Sequence, residues 1–184
     1  NPNVGADTVR DALSEQRKLA LACYQGDLRA LGDSLTQSLE RTGVDPAIEA
    51  RAAAHRALFP DGAVRSRPRL ADMPYRQLLW AMRARLHATG AGSVGGYADA
   101  AAFIDDLELI DTSLARHRGE HAGRFALQRV LWRARTFGFH MAALDLRQDS
   151  AAHDEALAVL EGGLDWAALP LDARLARLHA MIAN

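Results

Sequence analysis

Apolar residues recur every three or four positions between Thr8 and Arg41: Val9, Leu13, Leu19, Tyr24, Leu28, Leu31, Leu35 and Leu39. That period predicts one long amphipathic helix over about 8–41, with no proline to interrupt it. At about 1.5 Å per residue it would run roughly 45–50 Å, long for a small domain and natural for a strut in a large enzyme. Gly43 is the expected stop. Asp45-Pro46 reads as a restart, with Asp as N-cap and Pro at the first helical position, and this second helix should end near Phe59-Pro60. Asp61 to Asp72 is polar and proline-bearing, so it reads as loop. Pro74 opens a third helix over Tyr75 to about Thr89, and Gly90, Gly92, Gly95 and Gly96 mark a loop after it. A fourth helix, near Asp99 to Arg116, puts Phe103, Leu107, Ile110 and Leu114 on one face. A fifth, about Arg124 to Arg135, ends before Gly138, so helices extend to about residue 136.

The pattern then changes. Phe139 to Leu146 is too short and too apolar for another amphipathic helix, and a buried strand over about 139–147 fits it better. Alternation would put Met141, Ala143, Asp145 and Arg147 on one face, and His140, Ala142, Leu144 and Leu146 on the other. Ser150 reads as the cap of a helix over Ala151 to about Leu160, Gly162-Gly163 breaks the chain, and a last helix follows Pro170. The expected fold is therefore mainly α with a single strand. A lone strand cannot satisfy its own backbone hydrogen bonds, so the chain reads as part of something larger. Its opening on Asn1-Pro2-Asn3 rather than Met points the same way.

Composition narrows the classes of function. The chain has 184 residues, with 22 basic and 23 acidic side chains and a formal net charge of -1. Such a balance creates no general field for nucleic acid or for an anionic membrane surface. No apolar run reaches the roughly 18 residues of a membrane span. Cys23 is the one cysteine, so no intrachain disulfide can form, and a reducing cytoplasm fits. The glycines around GAGSVGG have no preceding strand and no following Gly-Lys-Ser/Thr, so they do not read as a phosphate loop.

Arg147 carries the most suggestive chemistry. It would end the strand just before a helix, where α/β proteins bind ligands. Its guanidinium is a planar, permanently charged fork that matches phosphate or carboxylate oxygens. Asp145, two residues earlier, could orient it, and Gln148 adds neutral donors and an acceptor. Free amides at the start of the next helix, near Ala151, also favour an anion. The plain alternative is a structural ion pair between Asp145 and Arg147.

Thr136-Phe137-Gly138, Leu144-Asp145-Leu146-Arg147-Gln148-Asp149-Ser150 and His153 together resemble the phosphoenolpyruvate carboxylase family. That family has a Thr-Phe-Gly element, an apolar strand, then Leu-Asp-Ile-Arg-Gln-Glu-Ser with a His three residues after the Ser. Leu146 stands here for Ile, and Asp149 for Glu. Asn1-Pro2-Asn3-Val4, with Thr8, Arg10 and Asp11, is similar to the end of another family segment and the helix after it. Pro74-Tyr75-Arg76 with Arg83 and Leu86, and Leu107-Glu108-Leu109 with Ser113-Leu114, follow in the family's order.

The resemblance implies an internal segment, residues 1–184, of a bacterial-type enzyme built on a (β/α)8 barrel with many added helices, the strand being one stave. It implies a cytoplasmic homotetramer using Mg2+ or Mn2+, with phosphoenolpyruvate and bicarbonate as substrates and oxaloacetate and phosphate as products. Carried over, Arg147 lines the substrate pocket as its catalytic and substrate-binding cation. Gln148 is a further substrate-binding residue, with Asp145, Asn1 and Asn3 in support. The family's catalytic His motif, its Lys-bearing segment and its glycine-arginine loop have no match here, and His117, His121, His140 and His153 stand in other contexts. His140 reads as a core or back-face residue. No metal site and no turnover by this chain alone are therefore expected. A non-catalytic helical interaction module, or an anion-binding module built on Arg147, remains the alternative.

Overall fold

The computed structural model describes residues 5–39, 42–59, 70–142 and 149–183. Seven α-helices occupy them: α1 Ala6–Ser34, α2 Pro46–Ala57, α3 Pro74–Ala91, α4 Ala100–Arg116, α5 Phe125–Phe137, α6 Ser150–Leu160 and α7 Leu171–Ala183. The chain divides into two compact units, Asn1–Ala143 and Leu144–Asn184.

In the first unit α1 and α2 pack against α3, and α4 packs against α5. The helix ends follow local chemistry. The Asp45 side chain accepts from the Ala47 N–H at 3.0 Å, and Pro46 takes the first helical position, where no N–H is required. The Asp99 side chain accepts from the Ala102 N–H at 2.9 Å. Gly92 closes α3 in the left-handed conformation, at φ 63°. Helix α1 ends at Ser34, short of the expected Arg41. Beyond it the Leu39 N–H donates to the Asp72 carbonyl at 2.9 Å in place of a helical bond, and the Gln37 side-chain amide donates to the Ala122 carbonyl at 3.0 Å. The apolar stripe of α1 is also only half used. Tyr24, Leu28, Leu31 and Leu35 are buried, whereas Leu13 and Leu19 are exposed.

The core is apolar and aromatic, with Leu78, Leu79, Met82, Leu107, Ile110, Leu114 and Leu127 fully buried. Full burial of such a side chain stabilises by roughly 1.5–3 kcal/mol. Phe103 sits at the centre, 5.2 Å from Tyr24, 5.5 Å from Tyr97 and 5.9 Å from Phe139 between ring centroids. All three tyrosines of the chain, Tyr24, Tyr75 and Tyr97, are buried. Burial, which penalises the phenolate, raises each of their pKa values, that of Tyr24 to about 12. Because the native state then holds protons that the unfolded chain releases, stability falls as pH rises from about 10 towards 12. A spectrophotometric titration should accordingly show the tyrosines of the folded chain ionising at higher pH than those of the unfolded chain. Ordinary titration of even one tyrosine would contradict this packing.

The expected strand is overturned. No described residue is in a strand, and Phe139–Ala142, the described part of that stretch, runs through turns and bends. A barrel stave is therefore absent from the described residues, which are helical. Two physical reasons act together. No neighbouring strand supplies ladder partners. Gly138, at φ 54° and ψ -137°, also turns the chain at the end of α5 and folds Phe139 into the aromatic cluster. Residues 143–148 lie outside the described residues.

Candidate functional site

The site reading drawn from the sequence centres on positions that the structure does not describe. Asp145, Arg147 and Gln148 lie outside the described residues, as do Asn1 and Asn3. What flanks the motif is described. On its N-terminal side the Thr136 hydroxyl donates to the Trp132 carbonyl at 2.9 Å, within α5. The Gly138 N–H donates to the Ala134 carbonyl, and its own carbonyl accepts from the Tyr24 hydroxyl at 2.8 Å. The Gly of Thr-Phe-Gly thus ends a helix, turns the chain and ties that turn to α1. Its backbone angles suit glycine, so Gly138→Ala should cost about 1–3 kcal/mol of stability, read as a lower denaturant midpoint.

On the C-terminal side the N-cap of α6 is Asp149, not the expected Ser150, which is the first helical residue. The Asp149 carboxylate accepts from the Ala151 N–H at 2.6 Å. The carboxylate also suits the positive end of the helix. The Ala151 amide, expected to be free for an anion, is instead taken by the chain's own carboxylate. Asp149→Ala should cost about 1 kcal/mol, visible as lost helix content at the motif's end. His140 is exposed rather than packed in the core, and His153 is exposed on α6.

A second constellation was not found from the sequence. Asp106 of α4 is fully buried in the middle of the apolar face formed by Phe103, Leu107 and Ile110. Its Oδ1 accepts from Arg51 of α2 at 2.5 Å. Its Oδ2 lies 2.6 Å from Nε2 of His55, also on α2, and accepts from the Tyr97 hydroxyl at 2.7 Å. A proton on Nε2 satisfies this contact and leaves Nδ1 to accept from Arg85 of α3, 3.3 Å away. Arg85 also donates to the carbonyls of Gly95 and Gly96, and its guanidinium stacks 3.8 Å above the Tyr97 ring. Burial alone would raise the Asp106 pKa, but hydrogen bonds from His55, Tyr97 and Arg51 outweigh it and hold the carboxylate below its usual range. Asp106 is fully buried with both oxygens engaged, so it presents no surface to a substrate. Its chemistry is structural: it ties α2, α3, α4 and the 92–99 loop together. The legible signal was an acid three residues after Phe103 and four before Ile110, on a face otherwise apolar.

A third feature is a cleft of about 290 Å³ between α1 and α3, lined by Arg29, Arg76 and Arg83, with Asp33 as the carboxylate among its walls. It forms an electropositive recess on the family-like Pro-Tyr-Arg helix. Among the described residues no group of three or more His, Cys, Asp or Glu is placed to hold a metal ion. Among them, too, no helix is long and apolar enough to cross a membrane.

Comparison with known proteins covers the whole chain. The family model for phosphoenolpyruvate carboxylase matches residues 1–184. A phosphoenolpyruvate carboxylase of Xanthomonas oryzae pv. oryzae is 47% identical over 178 residues, which is 97% of this chain and 20% of that protein. One of Xanthomonas campestris pv. campestris is 48% identical over 166 residues, 90% of this chain and 18% of that protein. One of Burkholderia mallei is 35% identical over 207 residues, taking in 100% of this chain and 20% of that protein. The chain thus spans about a fifth of the length of the curated relatives it matches. With a family match along its entire length and relatives at these identities, the chain belongs to the phosphoenolpyruvate carboxylase family.

Proposed function

We propose that residues 1–184 are part of a carboxy-lyase that joins bicarbonate to phosphoenolpyruvate, giving oxaloacetate and phosphate, and that they contribute one wall of its substrate pocket. The observation that carries this reading is the run Leu144-Asp145-Leu146-Arg147-Gln148-Asp149-Ser150 within a family match over the whole chain. In the proposed reaction a bicarbonate oxygen attacks phosphorus, and the bond from phosphorus to the enol oxygen breaks. Carboxyphosphate and the enolate of pyruvate result. Carboxyphosphate then releases CO2 and phosphate, and the enolate carbon bonds to CO2. Negative charge moves among phosphate, carboxylate and enolate oxygens at each step, so fixed cations aimed at those oxygens lower the barriers.

Arg147 is proposed as such a cation, its two-pronged donor edge meeting phosphate oxygens. Gln148 would donate to a neighbouring oxygen, Asp145 would hold the guanidinium in place, and Asn1 and Asn3 would lie at the rim. A divalent cation, Mg2+ or Mn2+, would neutralise phosphate and enolate charge in the full-length enzyme. Its ligands are proposed, on the family resemblance, to lie in the parts of the full-length enzyme that carry the motifs this chain lacks. The full-length enzyme is proposed as a cytoplasmic homotetramer on the family resemblance.

The test compares two proteins in one assay for oxaloacetate, with phosphoenolpyruvate, bicarbonate and Mg2+. A full-length protein containing this segment should turn over, and the purified 184-residue chain should not. No oxaloacetate from the full-length protein would end the carboxylase reading. Turnover by the chain alone would end the claim that it supplies only part of the site.

A further inference from the structure

Helix α6 carries a line of exposed apolar residues. Its residues Ala151, Asp154, Glu155 and Ala158 face Asp165, Trp166 and Ala167 of the following loop, and Trp166 is buried there. Ala152, Ala156, Val159 and Leu160 form a separate stripe at i, i+4, i+7 and i+8 spacing, turned away from that contact, with His153 along its edge. All four are exposed, Val159 at 74% and Leu160 at 73%. Not one residue of α6 is buried. Trp166 is the one buried side chain among the described residues of the Leu144–Asn184 unit. A unit of about 40 residues cannot stabilise itself on so small a core. Contiguous large apolar side chains left in water mark a contact surface rather than a solvated face.

We propose that the Ala152–Ala156–Val159–Leu160 stripe is a docking face for carboxylase polypeptide lying outside residues 1–184. This rests on the carboxylase reading. The occupant follows from chain length: the relatives match this chain along nearly all of it, yet four-fifths of each relative lies elsewhere. The stripe bears no charge, and its small residues Ala152 and Ala156 let a second apolar surface approach α6 closely. The occupant is therefore an apolar helix or sheet face of the same enzyme, not a charged ligand.

Hydrogen exchange at α6 tests this in two proteins, the 184-residue chain and a full-length carboxylase containing it, each also made as V159K/L160K. Amides of α6 should exchange about 100-fold more slowly in the full-length enzyme than in the chain alone, because docking suppresses local opening. The double substitution should abolish that difference. It should leave the melting midpoint and monomeric mass of the 184-residue chain unchanged, since both side chains are solvated there. Equal exchange rates in the two proteins would overturn the proposal. So would a dimer of the short chain that the substitution dissociates, which would make a second copy the occupant. A short chain destabilised by the substitution would place the contact within residues 1–184 and overturn it equally. Oxaloacetate formation separates the two levels. An active full-length enzyme with an unprotected α6 removes only the docking face, whereas an inactive one removes the carboxylase reading.

Discussion

Asp106→Ala should lower the melting midpoint of the 184-residue chain by about 10 °C. Removing one member of a buried charged network typically costs about 3–5 kcal/mol, and each kcal/mol moves the midpoint of a domain this size by roughly 2–4 °C. The loss is large because three partners are stranded together. His55 and the Tyr97 hydroxyl are buried and lose their acceptor, and Arg51 loses a 2.5 Å contact. Asp106→Asn separates shape from charge, since it fills the space but cannot accept from all three donors. The pH dependence has a defined sign. The folded-state pKa of Asp106 lies below its ordinary value. Its stabilisation is therefore complete above about pH 4, where the carboxylate is ionised in both states, and is lost as pH falls through the folded value. The gap in stability between the wild-type chain and Asp106→Asn should narrow in acid. A gap that widened below pH 4, or an Asp106→Ala midpoint within about 2 °C of wild type, would show that the network does not hold these helices.

Arg147→Lys in a full-length carboxylase should reduce kcat/KM for phosphoenolpyruvate by about 100- to 1,000-fold, the usual cost of removing one donor to transition-state charge. Lysine keeps the positive charge but loses the planar pair of N–H donors. If the fork serves the moving charge, kcat should fall along with kcat/KM. A rise in KM with kcat unchanged would mean that Arg147 only binds substrate. Wild-type values for both constants would remove the residue from the pocket. Because Arg147 lies outside the described residues, an unchanged melting midpoint in the variant is the needed control that the enzyme still folds.

Much of the helical frame was legible in the sequence because it depends on local chemistry. Asp45-Pro46, Asp99 and Pro74 mark helix starts through capping oxygens and a proline that needs no N–H partner. Phe103, Leu107, Ile110 and Leu114 announce a buried face by spacing alone. Family membership was legible too, since a run such as Leu144–Ser150 is a matter of residue identity and not of geometry.

Three-dimensional packing decided what periodicity could not. The apolar run after Gly138 matches a strand as well as a turn entering a core, and only the position of Tyr24, Tyr97 and Phe103 draws Phe139 inward. The end of α1 at Ser34 depends on the Asp72 and Ala122 carbonyls, far off in sequence. Asp106 stands on an apolar face in the sequence, but its partners emerge only where α2 and α3 bring His55, Arg51 and Arg85 against it. The order of residues thus determined the family, the presence of most helices and the caps at Asp45 and Asp99, because these rest on near neighbours. The fold alone determined which polar groups are buried and what satisfies them, because a carboxylate can leave water only where distant segments converge to replace it.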